Sequence, residues 1–245
     1  MSTSPFTADT ACQYVVQSQT LFSPHGAAEK EGPEEFACAC VNYHHTYVEV
    51  ARSLSSVYCG GKSAMSKESS DTLAALIENK FLHIFGREFV EAVKFAMEMC
   101  KYNFLPKFEQ LQAIYYLSRG KDVFVHLRTG FGKSLIYTLF PYVCDALRSS
   151  PNNDCRSSIV VLISPLISLM DDQMAKMAER GIHSVKLTDL KDRQVEDLRR
   201  GKSNIKIALL SPEAFTSLTV RETLRELKEH IVCVAIDEAH CVLQW

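Results

Sequence analysis

The stretch V-F-V-H-L-R-T-G-F-G-K-S-L-I-Y, Val123 to Tyr137, decides how this chain is read. A short β-branched and aromatic run (Val123, Phe124, Val125) enters a loop carrying Thr129, Gly130, Phe131 and Gly132. It leaves through Lys133 and Ser134 into an apolar helical pattern. Strand, loop and helix in that order make a phosphate cradle. Glycines let the backbone bend toward an anion, successive N–H groups point inward, and the helix N-terminus adds partial positive charge. Lys133 is then placed to reach the β- and γ-phosphates of a nucleotide, and the Ser134 hydroxyl to join the shell of a Mg²⁺ ion. One position departs from the general pattern G-x-x-x-x-G-K-[ST]: Leu127 stands where the first Gly belongs. The loop alone leaves the matter open.

Outward from the loop, strands and helices alternate. Val123 to His126 reads as a strand and Lys133 to about Ser149 as a helix, followed by a turn at Pro151-Asn152-Asn153-Asp154. Ile159 to Ile163 is a fully apolar strand, Ser168 to Arg180 a helix ended by Gly181, and His183 to Leu187 a short strand. A polar helix near Asp192 to Arg200 ends at Gly201. Ile205 to Leu210 is the next strand, a helix lies within Ala214 to His230, and Ile231 to Ile236 is the last strand. Continuous Val/Ile/Leu strands between amphipathic helices imply an α/β fold, a parallel sheet covered on both faces. Ligands of such sheets bind beyond the carboxyl ends of the strands.

The last strand runs directly into Asp237-Glu238-Ala239-His240. Adjacent carboxylates at a strand end are what a metal–nucleotide site needs opposite its phosphate loop. Asp237 is the candidate Mg²⁺ holder and Glu238 the candidate base that polarises the attacking water.

D-E-A-H together with T-G-F-G-K-S resembles the superfamily 2 helicases, P-loop NTPases whose loop variant does not require Gly at the Leu127 position. Three further stretches narrow the resemblance to the RecQ-like DNA helicases. They are Ser164-Pro165-Leu166-Ile167-Ser168-Leu169-Met170 with Asp172-Gln173, then Leu210-Ser211-Pro212-Glu213, then Cys241 with Gln244-Trp245. The resemblance covers about residues 104–245 and implies a RecA-like domain that uses ATP and Mg²⁺ and acts on DNA. It also implies roles. Gln110 is the adenine-reading glutamine, with Phe104 or Phe108 adding ring contact. Ser164, Pro165 and Ser211 touch the DNA backbone, and Trp245 stacks on single-stranded DNA. His240 and Gln244 couple nucleotide state to the neighbouring domain. Arg128 stands where the family commonly has proline, and either aids phosphate binding or faces solvent, the second being the expectation. The family closes its nucleotide site with a second RecA-like domain. The expectation is therefore that this chain holds an incomplete first domain, binds ATP and DNA, and cannot unwind alone. Two other readings compete: a non-catalytic P-loop interaction protein, and a superfamily 2 ATPase acting on RNA.

The N-terminal part reads differently. Residues 1–70 carry turn punctuation, an acidic cluster and no sustained period, the marks of a poorly ordered leader. Short apolar pieces such as Tyr14 to Val16 could form isolated strands. Cys38, Cys40, His44, His45 and Cys59 fit zinc spacing poorly, so the expectation is thiols without metal. Residues 71–103 form a helical lead-in, with Asp71 as N-cap and two apolar stripes, Leu73 to Phe81 and Phe89 to Cys100. Pro106 precedes a third helical pattern, Phe108 to Leu117.

Composition sets the outer bounds. Apolar residues make up 47% of the 245, ample for a core, and a net charge of −2 gives no global basic field for nucleic acid. DNA contact must come from a local surface. No apolar run approaches the roughly 20 residues of a membrane span. The N-terminus lacks a signal peptide's basic start and apolar core, so the expected place is intracellular, in the nucleus of a eukaryotic cell.

Overall fold

A computed structural model describes residues 13–17, 67–128, 130–149 and 157–238, with backbone only for 13–17 and 67–72. The elements in chain order are β1 (Gln13–Gln17), α1 (Lys67–Phe85), α2 (Arg87–Met99), α3 (Phe108–Ser118), β2 (Val123–His126), α4 (Ser134–Arg148), β3 (Ile159–Ile163), α5 (Ile167–Glu179), β4 (Ser184–Lys186), α6 (Asp192–Arg199), β5 (Ile207–Leu210), α7 (Leu218–Glu226) and β6 (Ile231–Ile236). Helix α1 starts before Asp71, which lies inside the helix and is not its cap.

The sheet has the order β2-β1-β6-β3-β5-β4. Strands β6, β3, β5 and β4 pair in parallel. The period-2 rule explains their continuous apolar sequences, because successive side chains point to opposite faces. In β3, Val160 and Leu162 join one core while Ile159, Val161 and Ile163 join the other. In β5, Ile207 and Leu209 share the first face, and Ala208 and Leu210 the second. Helices α1 to α5 contribute to the first core, through residues such as Phe81, Val93, Ile114, Leu139 and Met177. Helices α6 and α7 cover the second with Leu198 and Leu224. The lead-in helices thus pack onto the sheet domain.

One element departs from the all-parallel expectation. Strand β1 lies between β2 and β6 and is antiparallel to both, with Val15 opposite Phe124 on one side and Ile236 on the other. Residues 13–17, read from sequence as part of a leader, sit inside the sheet. Because β1 opposes both neighbours, β2 points the same way as the parallel strands, and the phosphate loop opens at the same edge as the end of β6.

Candidate active site

The loop after β2 is shaped by two glycines in the left-handed region, Gly130 at φ +77 and Gly132 at φ +85. At Gly132 space adds a second demand. A Cβ there would lie 2.8 Å from Gln110 Nε2. Gln110, at the start of α3 and only 2% exposed, is wired to the loop. Its Nε2 donates to the carbonyls of Phe131 (3.1 Å) and Gly132 (2.9 Å), and its Oε1 accepts the Lys107 N–H at 2.8 Å. Lys107 adds a hydrogen bond to the Phe131 carbonyl, and its ammonium stands 3.6 Å above the Phe131 ring centroid. Both amide hydrogens of Gln110 are therefore committed to the loop. What remains for a base edge is the second lone pair of Oε1.

Lys133 is 6% exposed, and its Nζ donates to the carbonyls of Leu127 (2.7 Å) and Arg128 (3.2 Å). The ammonium folds across the loop that it closes. The Arg128 side chain is exposed, as expected from sequence. Ser134 opens α4, and one turn on, Tyr137 ties the loop to the other end of the site. Burial pushes the Tyr137 phenol well above its ordinary value, the Asp237 charge pushes it the same way, and a hydrogen bond with Ser134 opposes them. Tyr137 is thus within electrostatic reach of both candidate Mg²⁺ ligands.

Asp237 is 2% exposed. Its N–H donates to the Ile163 carbonyl at 2.8 Å, extending the β3–β6 ladder one step beyond the strand. Its Oδ1 accepts the Glu238 N–H at 2.8 Å, and its Oδ2 accepts Gln173 Nε2 at 2.6 Å. Glu238 then turns the chain at φ +52, a left-handed conformation that costs a non-glycine residue on the order of 1 kcal/mol or more. Ser134 and Asp237 are oxygen ligands of the kind Mg²⁺ takes while keeping several waters. The amide of Gln173 that donates to Asp237 also carries a buried oxygen without a partner among the described residues, so the donor set fits that cation.

Beside the loop opens a cleft of about 380 Å³, lined by Phe104, Lys107, Gln110, Ser134, Gln173 and Arg180, among others. The two candidate rings, Phe104 and Phe108, differ in their packing. Phe108 stacks on Phe85 in the core with centroids 5.6 Å apart, whereas Phe104 is exposed at the cleft against Tyr102. The guanidinium of Arg180 lies 4.3 Å over the Tyr102 ring.

The expected DNA contacts divide. Ser164 is 0% exposed, its N–H bonded to the Leu210 carbonyl and its Oγ without a partner among the described residues. It also does not open a helix, since α5 begins three residues later. The Ser164 hydroxyl is buried in this structure and not presented at the surface. Pro165 is half-buried, followed by the exposed side chains of Leu166 and Ile167, the latter 62% exposed. Ser211 is half-buried, and its Oγ accepts the Ala214 N–H at 3.3 Å, capping the short turn Ala214–Thr216. A hydrogen bond from Ser211 holds the Glu213 carboxyl below its ordinary value. Thr129, His240, Gln244 and Trp245 lie outside the described residues, as do the cysteines and histidines between 38 and 59. Among the described residues no group of three or more His, Cys, Asp or Glu is placed to hold a metal, and no helix is long and apolar enough to cross a membrane.

Sequence reasoning assigned no role to three residues at the site. Lys107 and Tyr137 carried no signal apart from their nearness to Gln110 and Ser134. Gln173 stood inside a quoted motif, yet nothing local links it to an acid 64 positions on.

Residues 108–245 match the family model "DEAD/DEAH box helicase". Among curated proteins, the chain is 40% identical over 128 residues to the ATP-dependent helicase wrn-1 of Caenorhabditis elegans, covering 51% of this chain and 11% of that protein. It is 36% identical over 132 residues to the probable ATP-dependent DNA helicase RecS of Bacillus subtilis, covering 51% and 23%. It is 35% identical over 130 residues to the ATP-dependent DNA helicase RecQ of Pasteurella multocida, covering 51% and 18%. The chain spans less than a quarter of the length of these curated relatives. Its relatives are RecQ-family DNA helicases, and a family model covering more than half of the residues agrees with the loop and acid geometry: the chain belongs to the DEAD/DEAH box helicases.

Proposed function

We propose that this chain is the ATP-binding part of a RecQ-like DNA helicase, which couples Mg-ATP hydrolysis to DNA strand separation in the whole protein. The observation that carries the reading is the buried Asp237 at the end of β6, oriented by Gln173 and by the Glu238 N–H, together with Lys133 folded inside the loop that leads into Ser134. Phosphate oxygens would draw the Lys133 ammonium away from the Leu127 and Arg128 carbonyls, exchanging neutral acceptors for charged ones. Ser134 and Asp237 would hold the Mg²⁺, which supplies charge neutralisation on the phosphates when bound. Glu238 would accept a proton from the attacking water, its position fixed by the turn at the end of β6. Gln110 holds the loop and offers one lone pair to the base, while Phe104 supplies ring contact.

DNA would meet the edge where β3 and β5 end, through the backbone around Pro165 and through Ser211. Thr129 in the loop, His240 and Gln244 as coupling residues, and Trp245 as a stacking residue complete the proposal, with a second RecA-like domain as the partner that closes the site. Such a protein would work where genomic DNA is, intracellular and, in a eukaryote, nuclear. ATP hydrolysis by the natural full-length protein, measured with single-stranded DNA and with RNA, tests the reading. Stimulation by DNA is expected; stimulation by RNA alone would favour an RNA-directed ATPase.

A further inference from the structure

Gln173 sits in the middle of α5, and its amide spans from that helix to the acid at the end of β6. An ionised carboxylate only accepts, so the 2.6 Å contact with Asp237 Oδ2 fixes the amide orientation: the NH₂ faces Asp237 and Oε1 faces away. With Oδ1 taken by the Glu238 N–H, both Asp237 oxygens are oriented by donors from different elements. Gln173 Oε1 is buried and has no partner among the described residues, although Gln173 lines the same cleft as Ser134 and Gln110. A buried amide oxygen left unpaired costs free energy unless a donor arrives. No hydroxyl, amide or cationic side chain among the described residues supplies that donor. A hydrated cation held by Asp237 and Ser134 would.

We propose that Gln173 is a positioning residue for magnesium, aiming Asp237 through Nε2 and accepting a hydrogen bond through Oε1 from water that hydrates the cation. The inference rests on the reading of the site as a Mg-nucleotide site and adds to it a residue that touches neither nucleotide nor phosphate. Its signature is in the dependence of nucleotide binding on Mg²⁺, not in folding. Partners that orient a metal ligand change metal affinity about 10- to 100-fold when removed.

The test uses the full chain, a fluorescent ATP analogue and a Mg²⁺ titration, for the wild type, Gln173→Leu and Gln173→Met. Circular dichroism melts identify which variants are folded, and two apolar replacements of similar length guard against one failing. In EDTA all folded forms should bind the analogue within about twofold of one another. As Mg²⁺ is added, the wild type should tighten, and the variants should need at least about tenfold more Mg²⁺ for half the effect. A folded variant whose Mg²⁺ midpoint stays within about twofold of the wild type overturns the role of Gln173 and leaves the site reading intact. A wild type that binds no analogue at any Mg²⁺ concentration overturns both.

Discussion

Gln110 and Gly132 occupy one space: the amide nitrogen of Gln110 lies 2.8 Å from where a Cβ on Gly132 would stand, and donates to the carbonyl of that same glycine at 2.9 Å. The helix before the loop and the loop itself are thereby locked at van der Waals distance. Gly132→Ala must both hold φ near +85 and displace a fully engaged amide. The substitution should lower stability by about 1–3 kcal/mol and weaken ATP-analogue binding. Gly130→Ala, where a Cβ meets nothing within 4 Å, should cost less, since only its φ of +77 is strained. Thermal melts and binding isotherms of the two variants side by side check the ordering.

Glu238 separates binding from chemistry. Replacing it by Gln keeps the shape and removes the proton acceptor. Hydrolysis should fall by about 10²-fold or more while analogue affinity stays within about threefold. A steady-state ATPase assay of the natural full-length protein and a binding isotherm measure the two effects separately.

Strand β1 is paired on both edges, and Val15 and Val16 have partners on both sides. Val15 faces Phe124 and Ile236 at once. A proline there removes an N–H in the interior of a sheet. Val15→Pro should destabilise the fold by on the order of 1–3 kcal/mol, read from urea unfolding. An unchanged midpoint would mean that residues 13–17 do not hold β2 to β6.

Three thiols should make the fold sensitive to alkali. Burial pushes Cys100 and Cys144 up to about 12 from an ordinary 9.0, and raises Cys233 well above that value. The folded state therefore keeps protons that the unfolded chain releases. Stability is fully present below pH 9 and falls as the pH rises from there toward 12. Calorimetric melts between pH 8 and 11 should show this decline, and Cys144→Ala should flatten it.

Strands β3, β5 and β6 were legible in sequence because a strand buried on both faces has no polar residue to spare, and the two cores claim alternate residues of β3 and β5. The place of the strand at 13–17 was not, although Tyr14 to Val16 read as a possible isolated strand. Five residues carry too little period to be read, and their place depends on a gap between β2 and β6 that only the folded sheet contains. The loop glycines and the acid pair were legible because their chemistry is local. The burial of Ser164 was not legible: its position after β3 is local, but the Leu210 carbonyl that binds its N–H belongs to a neighbouring strand. The contact between Gln173 and Asp237 has the same non-local character.

The central claim is that Lys133 serves a nucleotide phosphate in a site shared with Asp237. The affinity of the chain for an ATP analogue in Mg²⁺, with and without the Lys133→Ala substitution, tests it most directly. Loss of at least about tenfold in affinity, in a variant that melts like the wild type, is predicted; an unchanged affinity would contradict the account.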